Sequence, residues 1–216
     1  MARVLSVNVG KASPNPWKTT VSTGIGKQPV QGAVEVRAPG AKHGGLGSGL
    51  VGDFIGDTQH HGGDTQAVYA FAREDLDRWS ERLGRELPHG YFGENLTTLG
   101  IDVGEARVGE VWRVGDKVEL RVTDPRIPCP TFRGWTGEKG WLKIFTADAR
   151  PGTYLEVVTP GRIGSGDPLT VVRRPDHDVT VSLVFRAMTL ERELVPDLLP
   201  ARDDLTRELR SWLGFG

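Results

Sequence analysis

The chain has one cysteine among 216 residues. A lone thiol excludes an internal disulfide, so a reducing cytoplasm is the expected compartment. There is no C-x-x-C pair and no H-E-x-x-H segment, which argues against a structural zinc site and zinc-peptidase chemistry. A ferredoxin-type cysteine cluster is missing too, so no intrinsic Fe–S centre is expected. No stretch approaches the ~18 apolar residues of a membrane span, and "MARVLSVNVG" lacks the apolar run of a signal peptide. No membrane association is expected. Nor is there an excess of charge: 27 Lys and Arg stand against 28 Asp and Glu. That leaves no electrostatic case for a nucleic-acid partner.

Glycine (29) and proline (14) are plentiful, and strongly periodic helical stretches are few. This texture predicts many short strands joined by tight turns. Strands are expected at "VLSVNVG", at "PVQGAVEVR" (29–37, with a bulge at Gly32), and at "QAVYAFA" (66–72). Further strands are expected at 114–125, 153–158 and 167–174. A long glycine-rich connection fills residues 40–64, and such loops usually carry function. Leu76, Trp79 and Leu83 recur at helical spacing in 73–84, with Gly84 placed to end the helix. After Pro175 the pattern turns helical, at 178–188 and 203–214. Asp203 or Asp204 is placed to cap the second of these helices and Gly214 to end it. The expected organisation is a β domain over residues 1–175 and a short helical region over 176–216.

The single thiol sits in "DPRIPCP" (124–130). Pro125, Pro128 and Pro130 hold this segment out of helix and central strand, and Arg126 is a fixed cation nearby that favours thiolate. One reading is a small buried hydrophobe at a turn. The others are a nucleophile or a ligand for a thiophilic metal. His60 and His61 are adjacent and would point apart in extended chain, so they do not chelate one ion easily. A cysteine hydrolase with either histidine as base is conceivable, although "PRIPCP" shows no helix start to activate the thiol. A remaining route is a metal that arrives inside a cofactor bringing most of its own ligands, with the protein adding one sulfur.

Several segments in order, "QHHGGDTQAVYAF" (59–71), "GYFGENLTTLGIDV" (90–103), "VGEVWRVGD" (108–116), "DPRIPCPTF" (124–132) and "GWLKIF" (140–145), resemble the MOSC family. This is the domain shared with molybdenum cofactor sulfurase C-termini. "TGIGKQPV" and "PDHDVTV" are similar to its stand-alone YiiM-like bacterial members. The resemblance implies a mainly β, barrel-like MOSC fold with a C-terminal three-helix region, here abbreviated. It also implies binding of molybdenum cofactor, a pterin dithiolene with a phosphate, and it maps the molybdenum-ligating cysteine onto Cys129. The associated activity is reduction of N-hydroxylated compounds (hydroxylated purine bases, hydroxylamines, amidoximes), with electrons from a separate reductase. A non-catalytic carrier of the cofactor or of persulfide sulfur is the alternative. Some relatives are attached to a pyridoxal-phosphate domain, but no such segment and no Schiff-base lysine can be placed here.

Within that resemblance, Arg126 either pairs with the cofactor phosphate and holds the thiolate, or is an ordinary solvated arginine. His61, with Gly62 and Gly63, either brings backbone N–H groups to an anion or forms a plain turn. Asp53 and Asp57 hydrogen-bond pterin N–H groups or close turns. Asn95 is a candidate pterin contact and Glu94 a candidate proton shuttle, unless both only cap local backbone. Lys11 and Lys27 are further phosphate candidates. Trp112, Trp135 and Trp141 are expected in the core or at the rim. Substrate identity, redox partner and oligomeric state are left open.

Overall fold

The computed structural model describes residues 1–18 and 22–216. In chain order the strands are β1 (Arg3–Val9), β2 (Ser13–Pro14), β3 (Ser22–Thr23), β4 (Gln28–Pro29), β5 (Val34–Val36) and β6 (Val68–Ala72). They continue with β7 (Leu96–Leu99), β8 (Val111–Val114), β9 (Val118–Pro125), β10 (Thr153–Thr159), β11 (Gly161–Ile163) and β12 (Leu169–Arg173). The helices are α1 (Arg73–Leu83), α2 (Pro130–Thr136), α3 (Trp141–Asp148), α4 (Val181–Thr189) and α5 (Arg207–Leu213).

The protein is mainly β, built on one large mixed sheet of eight strands in the order β12-β8-β9-β10-β6-β7-β1-β4. β6 and β7 run parallel, in register Ala70 to Leu96, while the neighbouring pairs are antiparallel. A parallel pair needs a crossover, and α1 supplies it. Leu76 and Trp79 are its buried stripe, and Gly84, at φ 63°, closes it in the left-handed region, as the spacing predicts.

The barrel expected from the resemblance is not closed. β12 and β4 end the ladder. The bridge Arg3 to Pro168 and three backbone hydrogen bonds (Val4 N–H to Asp167 at 2.9 Å, Gly166 N–H to Val4 at 2.8 Å, Leu169 N–H to Ala2 at 3.0 Å) tie the start of β1 to residues 166–169. Two features keep that contact from extending along the strands. β4 takes the second edge of β1 at Asn8 and Val9. Beyond Leu169, β12 is exposed on both faces, so extending the pairing would bury nothing.

The expected strand 29–37 is two separate strands. Gly32 stands at φ 78° between β4 and β5, and β5 pairs with β11 outside the main sheet. The C-terminal helices form where the pattern places them, but Thr206 caps α5, not Asp203 or Asp204: its hydroxyl accepts from the Leu209 N–H at 3.2 Å. Among the described residues no helix is long and apolar enough to cross a membrane.

Three apolar clusters carry the packing. The first lies against the main sheet, with Val4, Val68, Trp112, Leu120 and Leu155. The second is aromatic and joins α1, α2 and α3 through Trp79, Phe92, Phe132, Trp141 and Phe145. Phe92 and Phe132 are 5.2 Å apart, edge to face. The third joins α4 and α5 through Val184, Leu198, Leu205 and Leu209, against Val108. Trp112 and Trp141 are fully buried, and Trp135 is half-buried with its indole N–H donating to the Tyr91 carbonyl. The aromatic cluster matters most for function, because α2 begins at the cysteine and Phe132 anchors that helix.

Candidate functional site

Cys129 is the residue before the first turn of α2, with Pro130 at the first helical position. A helix start does follow the thiol. In the sequence alone the prolines read as breakers, yet proline is well tolerated at that one position, where its missing N–H costs nothing. Cys129 has extended backbone, φ −117° and ψ 168°, and is half-buried on the edge of the aromatic cluster.

Burial alone would raise this thiol. A hydrogen bond from His61, the charge of Arg126 and the Phe132 backbone N–H outweigh it and bring the pKa down to about 6 from 9.0. Arg126 is buried. Its guanidinium lies 3.6 Å over the Phe132 ring and 5.5 Å from that of Tyr69. Rings hold it rather than a carboxylate, so its charge is left for the sulfur, and its Nη1 has no partner. Cation–ring contacts of this kind orient a guanidinium without neutralising it.

The thiol opens into a cleft of about 750 Å³, measured out to its mouth. That is in the usual range for a small-molecule site, about 300–1,000 Å³. Its walls include His61, Gly62, Gln66, Tyr69, Asn95, Lys27, Asp53, Asp57, Arg126, Thr131 and Tyr154. Most of the residues singled out from sequence therefore converge here. Three do not line it: Lys11, which is exposed, Gly63 and Glu94. Gly63, at φ 79°, spends its N–H on the Gly47 carbonyl at 2.9 Å.

Glu94 is fully buried with both oxygens occupied. It accepts from the Gly90 N–H at 2.6 Å, the Phe92 N–H at 3.0 Å and the Thr97 hydroxyl at 2.8 Å. Burial pushes it up to about 7 against those donors. It clamps the 90–97 turn from inside, and the proton-shuttle position in the cleft is not where its carboxyl sits.

Asp53 is a hub. Its carboxylate forms a buried ion pair with Lys27 and accepts from the Gly10 N–H (2.7 Å), the Ser48 hydroxyl (2.7 Å) and the Asn95 amide (2.9 Å). Asn95 in turn accepts from the Tyr69 N–H at 3.1 Å and donates to the Asn8 carbonyl at 3.2 Å. These two residues have little hydrogen-bonding capacity left over. Asp57 is paired with Lys18 and with His60, whose ring is exposed. Burial opposes its ionisation, but its contacts with Lys18 and His60 outweigh that and hold its carboxyl down at about 2. The adjacent histidines are thus divided: His60 turns to Asp57 and His61 to the thiol.

Gln66, Tyr69 and Tyr154 were read only as part of strands. Tyr69 donates to the Pro151 carbonyl at 2.7 Å, and its ring lies 5.3 Å from that of Tyr154. Burial pushes the Tyr154 phenol up to about 12, so it stays protonated across the neutral range. Among the described residues no three His, Cys, Asp or Glu side chains gather as a metal site.

An open mixed sheet, a crossover helix and a cation-flanked thiol at a helix start beside a cleft define the class of fold. A MOSC domain model matches residues 57–170, more than half of the chain, and the chain belongs to the MOSC domain family. The uncharacterized protein YflK of Bacillus subtilis (strain 168) is 30% identical over 184 residues, covering 85% of this chain and 79% of YflK. A protein named Reductase from Gibberella moniliformis (strain M3125 / FGSC 7600) is 27% identical over 220 residues, 96% of this chain but 37% of that longer protein. The crystal structure of YiiM from Geobacillus stearothermophilus superposes with a TM-score of 0.78 at 24% identity, over 100% of this chain and 98% of that one, and so shares the fold.

Proposed function

We propose that the protein binds molybdenum cofactor through Cys129 and reduces N-hydroxylated compounds, taking electrons from a separate reductase in the cytoplasm. The observation that carries this is the thiol itself: depressed to about 6, opening into a cleft and flanked by a guanidinium whose Nη1 has no partner. MOSC membership supports it, as does the name of the fungal relative.

The residues present fit such a group. A thiolate is a soft ligand suited to molybdenum. The orphaned Nη1 of Arg126 is a donor for a cofactor oxygen. Gly62, at φ 85°, lets the loop backbone at the cleft wall pack closely, because a Cβ there would lie 2.8 Å from the Gly47 carbonyl oxygen. When bound, the cofactor supplies a two-electron redox centre. The chain's own tasks are binding, orientation and proton supply. Arg126 keeps the sulfur anionic. His61 orients the sulfur through a side-chain hydrogen bond. Tyr69, Phe92 and Tyr154 give the cleft apolar walls that displace water from the reacting bond. Overall, R–NH–OH takes up two electrons and two protons and leaves as R–NH₂ and water.

The test uses protein expressed in a host that makes the cofactor, with an artificial one-electron donor. Turnover of an N-hydroxylated base to the parent amine is expected. Stoichiometric molybdenum with no turnover would contradict the enzyme and leave the carrier role.

A further inference from the structure

Asp124 is a buried carboxylate that the proposed chemistry does not use. It stands next to last in β9, five residues before Cys129, and is 7% exposed. Its Oδ1 accepts from the Thr206 hydroxyl at 2.8 Å. Among the described residues it forms no ion pair, and Arg121, the nearest cation in sequence on the same strand, is paired with Glu156 instead. Burial pushes the Asp124 carboxyl up to about 7 against the Thr206 bond, with Glu208 adding to the rise and the charges of Lys42 and Arg121 opposing it.

Thr206 is used twice. It is 3% exposed, and its oxygen accepts from the Leu209 N–H at 3.2 Å while its hydrogen goes to Asp124. A hydroxyl has one donor and two acceptor positions, so both bonds stand together. One side chain therefore starts the last helix and holds the end of β9, 82 residues away in the chain. That end of β9 also reaches both side chains that lower the thiol. The Thr123 hydroxyl donates to the Thr65 carbonyl at 2.6 Å, in the turn that follows His61. Arg126 is the first residue after β9 and lies over the Phe132 ring.

We propose that the Thr206–Asp124 hydrogen bond makes the C-terminal helical region part of the thiol site, with Asp124 a positioning residue that sets where Arg126 and the thiol loop sit. This goes beyond the redox function and holds for the cofactor-free chain. Without the Thr206 donor, the Asp124 carboxylate is buried with no hydrogen bond, a costly state. It turns toward water or a cation, or takes up a proton that then needs an acceptor of its own. Each course disturbs the chain at 124, two residues before the guanidinium. Moving that charge away from the sulfur weakens what offsets burial, so the thiol rises.

The test is the pH profile of iodoacetamide alkylation of the cofactor-free chain, with thermal melting measured alongside. Thr206→Val and Asp124→Leu remove the bond. Their midpoints are expected to rise by about one pH unit, with the rate at pH 6 lower by about three- to tenfold. Thr206→Gly removes the same donor at little cost to the helix start, since glycine is accepted at a cap, and it serves if the bulkier changes fail to fold. Thr206→Ser keeps the hydroxyl, and Asp124→Asn keeps an acceptor without the charge. Both should stay within about 0.3 pH unit of wild type. Leu198→Ala, in the fully buried core of the third cluster, lowers the melting point without touching the bond and should leave the midpoint in place. Unchanged midpoints in the bond-breaking variants, or equal rises in Asp124→Asn or Leu198→Ala, would overturn the assignment. A wild-type midpoint above 8 is seen before any variant is compared, and overturns the account of the thiol together with this one.

Discussion

Asp53→Ala is expected to destabilise the protein by about 3–5 kcal/mol, because it removes one partner of a buried ion pair and leaves the other charge unpaired. For a chain of this size that corresponds to a melting point lower by about 6–20 °C. Lys27 has only 8% of its side chain exposed and Asp53 none, so water cannot take over. The Gly10 N–H, the Ser48 hydroxyl and the Asn95 amide lose their acceptor at the same time. The double variant Asp53→Ala/Lys27→Met should recover at least half of the loss, since replacing a buried pair by apolar groups is often close to neutral. Thermal unfolding of the two variants decides. If the single variant melts like wild type, the network is not what holds the loop against β1 and β7.

The second large effect is on the thiol. Alkylation of cofactor-free protein by iodoacetamide should follow a pH profile with its midpoint near the pKa of about 6. His61→Ala combined with Arg126→Met removes two of the three influences that offset burial, so the midpoint should move up to or beyond the ordinary thiol value of about 8.5. The sign follows from which form is favoured. The hydrogen bond and the cation stabilise thiolate, so removing them favours thiol. At pH 6 about half of the wild-type sulfur is thiolate, against well under 1% for an ordinary thiol. The weaker nucleophilicity of a low-pKa thiolate takes back part of that factor, which leaves a rate difference of roughly tenfold. A wild-type midpoint above 8 would remove the electrostatic basis of the site.

Both effects involve residues that sequence reasoning reached, with different success. The cysteine loop was legible because prolines restrict torsions wherever they stand and Arg126 is three residues from the thiol. Its helix start was not, since Pro130 reads as a breaker until the chain after it is seen to turn. His61 and His60 are indistinguishable as neighbours in a string. The contact of Asp57 with the His60 ring nitrogen, at 3.1 Å, is what separates them. Asp53 and Asn95 stood out as polar residues in glycine-rich surroundings, yet nothing in the sequence says that residues 42 apart would satisfy each other. Glu94 had the opposite fate. The donors that capture it are local, on Gly90, Phe92 and Thr97, which is the capping arrangement that the sequence also allows.

The fold was legible element by element more than in its closure. Short strands, the α1 stripe and the two C-terminal helices follow from periodicity and glycine placement. Whether the sheet closes depends on which strand takes the second edge of β1, a competition between β4 and the segment before β12. Gln66 was hidden for a related reason: "QAVYAFA" has the apolar texture of a strand, and its first residue turns out to belong to the 3₁₀ turn ahead of β6.

The central claim is that the Cys129 sulfur is the protein's ligand to a molybdenum centre. Elemental analysis of wild type and Cys129→Ser, both purified from the same cofactor-competent host, tests it most directly. The account predicts about one molybdenum per wild-type chain and little or none in the variant, with both proteins equally folded. Equal molybdenum in the two, or none in either, would contradict it.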